Sequence, residues 1–290
     1  MKTTRIAASL ALAFCALSAS ADVIEGQGTW QQTLAARDLD GNPANGPEAW
    51  FDRTLGITWL ADPQAISGTR WDTYFRGSAG ENGPYNESDE FDGRSLLSDA
   101  FFWLNQLSVG GVTGWRLPST DPINGQFYRY NGNSGPTIYS GQVDAGWNIA
   151  STQSELAHMF TVTLGNRGAF DTDGRQLDVW ERRFNTGVFT NLKPRRYWSG
   201  SRYATTVDDV AWVFEMADGR QQGGFSPIPA FPDAYHVWAV HDGDVGSAMT
   251  PVPEPAARMS MAGGVLALAW LRRRGKAQAI RPTRRPQTCG

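Results

Sequence analysis

Between Asp22 and Glu254 the chain contains no cysteine; its two cysteines are Cys15 and Cys289, one near each end. That absence removes disulfides, thiolate metal sites and thiol nucleophiles from the body, so the fold has to stand on its apolar core. The means are present: of 290 residues 41% are hydrophobic and 12% aromatic, with 12 tryptophans. Such a composition excludes a disordered chain and allows one large or two small domains.

Charge is unevenly placed. All 29 acidic residues lie between Asp22 and Glu254, with only 16 of the 26 basic ones, so this span carries −13 while the whole chain carries −3. An acidic body argues against nucleic acid as a partner, because phosphate binding needs a basic face. The start is basic and then apolar: Lys2 and Arg5, the run Ile6 to Leu17, and the small residues Ala19-Ser20-Ala21. This is the pattern of a secretory signal over 1–21, with cleavage at Ala19 to Ala21 and a mature chain beginning at Asp22. Phe14 ahead of Cys15 does not fit a lipoprotein cleavage site, so a lipid anchor is not expected.

The other end has three parts: Val252-Pro253-Glu254-Pro255, an apolar run from Ala256 to Leu271, and the cluster Arg272, Arg273, Arg274. As a helix that run would span about 24 Å, against roughly 30 Å of bilayer hydrocarbon. Arg258 interrupts it near one end, where its guanidinium can snorkel to the interface. The arginine cluster predicts a cytoplasmic C-terminus with the acidic body outside. The two prolines deny the backbone a helix or ladder bond, so the triplet stays extended and accessible. On these residues the end resembles the PEP-CTERM sorting signal, here 248–276 with a transmembrane segment at about 256–271, followed by a basic tail 277–290. The resemblance implies export in a Gram-negative bacterium, a transient inner-membrane intermediate and processing near the triplet by an exosortase. Two departures stand out: the apolar run is short, and Gly275 to Gly290 continue past the arginines.

Along the body, Ala35 to Leu60 reads as strand, turn-rich loop, strand, the second strand being AWFDRTLGITWL. From Arg94 to Leu107 the apolar positions Leu96, Leu97, Ala100, Phe101, Leu104 and Leu107 recur at helical spacing, and Gly110-Gly111 ends the pattern. A second helix is expected from Thr152 as N-cap with Glu155 completing a capping box, carrying Leu156, Met159, Phe160 and Leu164 up to Gly165. The last third reads as strands: RRYWSGSRY, DVAWVFEMADGRQQGGF and AYHVWAVHDGD. In the middle one Trp212, Phe214 and Met216 alternate with Ala211, Val213 and Glu215, as in a half-buried antiparallel strand. This order predicts an α+β domain over 22–247.

Several landmarks occur in order: GITWLAD at Gly56 to Asp62, WLNQL, GVTGWRLPS at Gly111 to Ser119, SELAHMF, YWSGSRY at Tyr197 to Tyr203, AWVFEMADGR and VWAVHDGD. Together they resemble the Lcl C-terminal-like family, an exported bacterial domain of unknown function, over roughly Arg37 to Val245. The resemblance implies a C-type-lectin-like fold, two helices packed beside a small twisted antiparallel sheet with long loops, distantly shared with formylglycine-generating enzymes. Those cousins hold copper with cysteines, which this body lacks. The family's usual closing valine-arginine pair is replaced by Val240-His241, so no role is carried to that position.

Candidate chemistry in the residues is sparse. DLDGN at Asp38 to Asn42, DTDG at Asp171 to Gly174 and DGD at Asp242 to Asp244 could give calcium a few oxygens, but none continues into the EF-hand spacing, and Asx turns explain them equally. No ligands are assigned and no cofactor is expected. His158, His236 and His241 are too scattered for a zinc site, and His158 reads as a satisfied core histidine. YWSGS lacks the G-x-S-x-G elbow, and acidic pairs such as Asp208-Asp209 do not by themselves mark a glycosidase. Pro118 extends GWRLPS, which reads as a core strand with Trp115 and Leu117 inward and Arg116 in a structural network. Trp198 reads as core; Trp71, Trp147 and Trp180, in loop-like polar surroundings, are candidates to stack on sugar rings.

The expectation is therefore a non-enzymatic exported protein of the cell surface or extracellular matrix, binding exopolysaccharide or another surface partner. An extracellular polysaccharide hydrolase and a purely structural matrix component are the alternatives. Neutral glycans or proteins suit the charge better than anionic polymers.

Overall fold

The computed structural model describes residues 26–72, 92–129, 138–203, 210–225 and 234–249. The signal segment with Ala19 and Ala21, the motif Val252–Pro255, the apolar run 256–271, Arg272 to Arg274 and the tail 277–290 lie outside the described residues. Among the described residues no helix is long and apolar enough to cross a membrane.

The body is α+β, with short helices and two five-stranded sheets. The first sheet contains β1 (Leu34–Asp38), β2 (Ala49–Asp52), β3 (Ile57–Leu60), β9 (Val240–Asp242) and β10 (Ser247–Ala248). Its order is β10-β1-β2-β3-β9, antiparallel throughout. The second contains β4 (Arg94–Ser95), β5 (Arg196–Arg202), β6 (Val210–Glu215), β7 (Arg220–Phe225) and β8 (Tyr235–His236), in the order β4-β8-β5-β6-β7. Among the described residues its one parallel pairing joins β5 to β8 through Tyr197 and His236.

The segment AWFDRTLGITWL, expected as one strand, is a hairpin of β2 and β3. Asp52 turns it: Oδ1 accepts the amides of Thr54 at 2.9 Å and Leu55 at 3.2 Å, and Gly56 at φ +70° closes the turn. AYHVWAVHDGD likewise divides into β8 and β9, which belong to different sheets. Residues 235–240 thus stitch the two sheets together. Val237 and Ala239 enter one core cluster and Trp238 and Val240 the other, the period-2 alternation of extended chain.

The same alternation corrects the half-buried reading of β6. All of Val210 to Phe214 are buried, because Phe214 faces one cluster while Ala211 and Val213 face the other. Strands β3 and β5 divide in the same way, with Trp59 and Tyr197 on one side and Leu60 and Trp198 on the other. At the centre Trp238 packs on Trp59 with ring centroids 4.4 Å apart and on Phe189 at 4.7 Å, and its Nε1 donates to the Leu60 carbonyl at 2.9 Å.

The helices are shorter than the spacing predicts. After the single turn α1 (Trp30–Thr33), α2 runs from Leu97 to Gln106 and buries Ala100, Trp103 and Leu104, an i, i+3, i+4 stripe. Phe101, expected on the core side, lies 47% exposed and Phe102 57%, since 100° per residue carries both past the stripe. The second expected helix is only α3 (Glu155–His158), which then widens into a π-turn at Met159–Thr163. The end of this segment docks a distant one: the carbonyls of Val162 and Thr163 accept the Thr29 amide at 3.2 and 3.0 Å, and Gly28 packs backbone to backbone against Gly165.

Candidate functional site

The acidic loops are mostly wired into the chain. Asp38, Asp40 and Glu48 each offer an oxygen within 4.8 Å of the others. Yet Asp38 Oδ1 accepts the Gly41 amide at 2.7 Å, Asp40 accepts Asn42 N and Asn45 Nδ2 at 2.8 Å, and Glu48 Oε2 accepts Leu39 N at 2.9 Å. The bonds from Asn45 and Asn42 hold the Asp40 carboxyl below its ordinary pKa. DLDGN is thus a chain of Asx turns; its third acid, Glu48, comes from beyond the loop. In DGD, Asp244 forms a two-toothed pair with Arg37, through Nε at 2.5 Å and Nη2 at 2.8 Å, and this bond lowers the Asp244 pKa.

Asp242 joins a larger network around Arg116. The guanidinium donates from Nη1 and Nη2 to Glu155 at 2.9 and 2.8 Å and from Nε and Nη2 to Asp242 at 2.8 and 2.6 Å. Burial opposes the charge, but the two carboxylates outweigh it and raise the Arg116 pKa. The structural role expected for Arg116 holds, whereas the strand does not: GWRLPS touches the first sheet through one bridge, Arg116 to Val240. Glu155 also corrects the capping box. Its Oε2 accepts the Ser119 amide at 2.7 Å instead of reaching back to Thr152, the N-cap position is Ser154, and Ser154 Oγ bonds Gln221.

His158 is buried and its Nδ1 lies 2.9 Å from the Ala150 carbonyl, while Nε2 has no partner among the described residues, so it is only half satisfied there. His236 is also buried, with Nδ1 unpartnered among the described residues; burial and the charges of Arg94, Arg195 and Lys193 push its pKa down to about 3. His241, on the surface, sits edge-on to Trp115 at 5.7 Å. The three histidines stay apart: His236 pairs with Arg94 across β4, while His241 pairs with Thr58 on the other sheet. Ser199 of YWSGS is buried and accepts the Ser201 amide.

The three tryptophans proposed for sugar stacking meet three fates. Trp147 is core, 8% exposed, packed on Tyr139 at 5.2 Å and Phe170 at 4.8 Å with Arg220 over its ring at 4.8 Å. Trp71 is half-buried, stacked on Phe102 at 5.8 Å with an interplanar angle of 17°, with Arg70 4.4 Å over it. Trp180 is 82% exposed beside Val179 at 81%. Trp198, by contrast, is fully buried, as expected, and donates from Nε1 to the Ser95 carbonyl at 2.8 Å.

The turn that carries Trp180 is tied by Arg175 and Glu181, which the sequence reading did not single out, together with Asp171 of DTDG. Arg175 makes a bidentate pair with Glu181, 2.9 Å at each tooth, and its Nε donates to Asp171 Oδ2 at 3.0 Å. Glu181 Oε2 also accepts the Asp178 amide at 3.0 Å, and the Glu181 amide donates to the Asp178 carbonyl at 2.9 Å, closing a turn with Val179 and Trp180 at its tip. The Arg175 bonds, with the Asp178 amide, pull the Glu181 pKa down to about 2. DTDG anchors the arrangement: Asp171 Oδ1 accepts the amides of Asp173 and Arg175. A usable sequence signal existed in DTDGRQLDVWER, an apolar pair set between acids that share one arginine.

Set beside protein-family models, curated proteins and solved structures, the chain matches none of them.

Proposed function

We propose that this chain is an exported protein of the cell surface or extracellular matrix whose body is a non-enzymatic binding module for exopolysaccharide or another surface partner. One observation carries the reading: among the described residues, a thiol-free body that builds its core around buried rings such as Trp59, Trp198, Trp212 and Trp238 leaves Phe101, Phe102, Phe127 and Trp180 on its surface. Exposed aromatics of this kind are the usual material of recognition surfaces. The charged groups Arg37, Arg116, Arg175 and Arg196 are meanwhile engaged with carboxylates within the fold. The ordered landmarks from GITWLAD to VWAVHDGD support the finer fold reading, C-type-lectin-like. Lys2, Arg5 and the apolar Ile6 to Leu17 support export, and Val252–Pro255 with Arg272 to Arg274 supports exosortase processing from an inner-membrane intermediate.

The test is fractionation of cells making the wild-type chain or a variant with Pro253, Glu254 and Pro255 all changed to alanine. The wild type is expected in the surface or matrix fraction and the variant held in the inner membrane. Identical processing of both forms overturns the sorting assignment. For the body, a pull-down with extracted matrix and a glycan array are expected to give a ligand; blanks in both, with and without calcium, overturn the binding reading.

A further inference from the structure

We infer that the Asp178–Glu181 turn is a glycan contact site, with the Trp180 indole as the platform for a neutral sugar ring; this rests on the binding-module reading above.

An indole 82% exposed on a slack loop would lose much of its binding energy to ordering, but the turn under Trp180 is closed by its own 2.9 Å backbone bond and clamped by Arg175 between Glu181 and Asp171. The indole is thus presented in advance. Among the described residues it has no ring or cation partner, unlike Trp71, Trp147 and Trp198. The same segment supplies polar groups to match: exposed Gln176 and, two residues before the indole, exposed Asp178, whose carboxylate accepts no hydrogen bond among the described residues. An aromatic face with a few polar groups beside it is the composition that recognises a ring bearing both C–H and hydroxyl faces.

Area selects this occupant over a protein. One indole offers roughly 150–250 Å², whereas a stable protein interface covers about 800 Å² on each partner. Val179 adds little to that. A single sugar ring matches the smaller area. Charge selects it over a membrane or a polyanion, because Asp173 and Asp178 stand exposed within the same segment of a body carrying −13, which repels anionic headgroups and acidic polymers. Affinity for one ring is weak, and a matrix polymer offers many copies of it.

The experiment is affinity electrophoresis of the full chain in mild detergent, through gels containing dextran, hydroxyethyl cellulose or galactomannan. The wild type is expected to be retarded by at least one polymer. Trp180→Ala is expected to weaken that retardation at least tenfold, Trp180→Tyr to keep it within threefold, and Arg175→Met, which frees the turn but leaves the indole, to weaken it at least threefold. Because Trp180 is on the surface, circular dichroism of all variants is expected to match the wild type. Unretarded wild type in all three gels, or full retardation of Trp180→Ala, overturns the site. If Phe102→Ala loses retardation while Trp180→Ala keeps it, this site falls and the wider binding reading stands. Capture of phosphatidylcholine vesicles through Trp180, with no polymer bound, also overturns it.

Discussion

At the scale of single residues, Arg116 does the most work for its size. One guanidinium ties the segment after Val112 to α3 through Glu155 and to the end of β9 through Asp242. The Glu155 side chain is 8% exposed and Arg116 itself 32%, so removing the cation leaves one carboxylate stranded in a poorly solvated position. Arg116→Met is expected to lower stability by about 2–3 kcal/mol, a buried-pair loss discounted for the partial exposure of the arginine. Urea denaturation checks this through a lower midpoint with an unchanged slope. Adding Glu155→Gln is expected to recover part of the loss, since the stranded charge is then gone.

At the scale of elements, the junction of α3 with the π-turn shows how a distant segment reshapes a local pattern. Gly165 has φ +61°, and a Cβ there would run into the backbone nitrogen of Gly28. The residues before Gly165 have good helical spacing, yet the Leu164 amide donates to the Met159 carbonyl in a wider turn, and the carbonyls of Val162 and Thr163 accept the Thr29 amide. Gly165→Ala is expected to cost about 2–3 kcal/mol, more than the conformational preference alone, because backbone meets backbone and neither side can give way. Thermal unfolding gives the number. Hydrogen exchange of the Thr29 amide is expected to speed up in the variant, as it would if the N-terminal docking loosens first. Helix α2 teaches the complementary lesson: its buried stripe was legible from spacing in Ala100 and Leu104, but not the choice of Trp103 over Phe101. Spacing marks candidates for a face, and the neighbours across the interface choose among them.

At the scale of the whole molecule, two sheets share their strands' opposite faces between two cores, and titration of His236 reports on the join. His236 lies on β8 beside β5, buried, with a pKa pushed below its ordinary 6.5 to about 3 by burial and then by Arg94, Arg195 and Lys193. The unfolded chain therefore binds a proton below pH 6.5 that the native state refuses. Stability from this group is complete above 6.5 and is lost as pH falls toward 3, by up to ~1.4 kcal/mol per pH unit. Glu215 and Asp218, whose pKa values burial raises, act in the opposite direction as pH falls. The difference between wild type and His236→Gln isolates the histidine: stability measured from pH 7 to 4 is expected to fall less steeply in the variant, and parallel curves would show that the imidazole is not the titrating group.

From its residues alone the chain determined a thiol-free, aromatic-rich α+β body, the core place of Trp198 and the structural duty of Arg116. These follow from composition, from period-2 alternation and from the conformational demands of Pro118, all of which act locally. Tertiary structure alone decided that β3, β6 and the Tyr197 to Ser199 part of β5 are buried on both faces and that Glu155 answers Arg116 and Ser119 instead of capping its own helix. It also decided which of three similar tryptophans faces solvent: Trp147 is covered by Tyr139, Phe170 and Arg220, and Trp180 stands exposed at the tip of the turn that Arg175 and Glu181 tie. The reason is the same in each case. Burial and pairing depend on partners as distant as Asp242, 126 positions from Arg116, and no local spacing encodes which partner arrives.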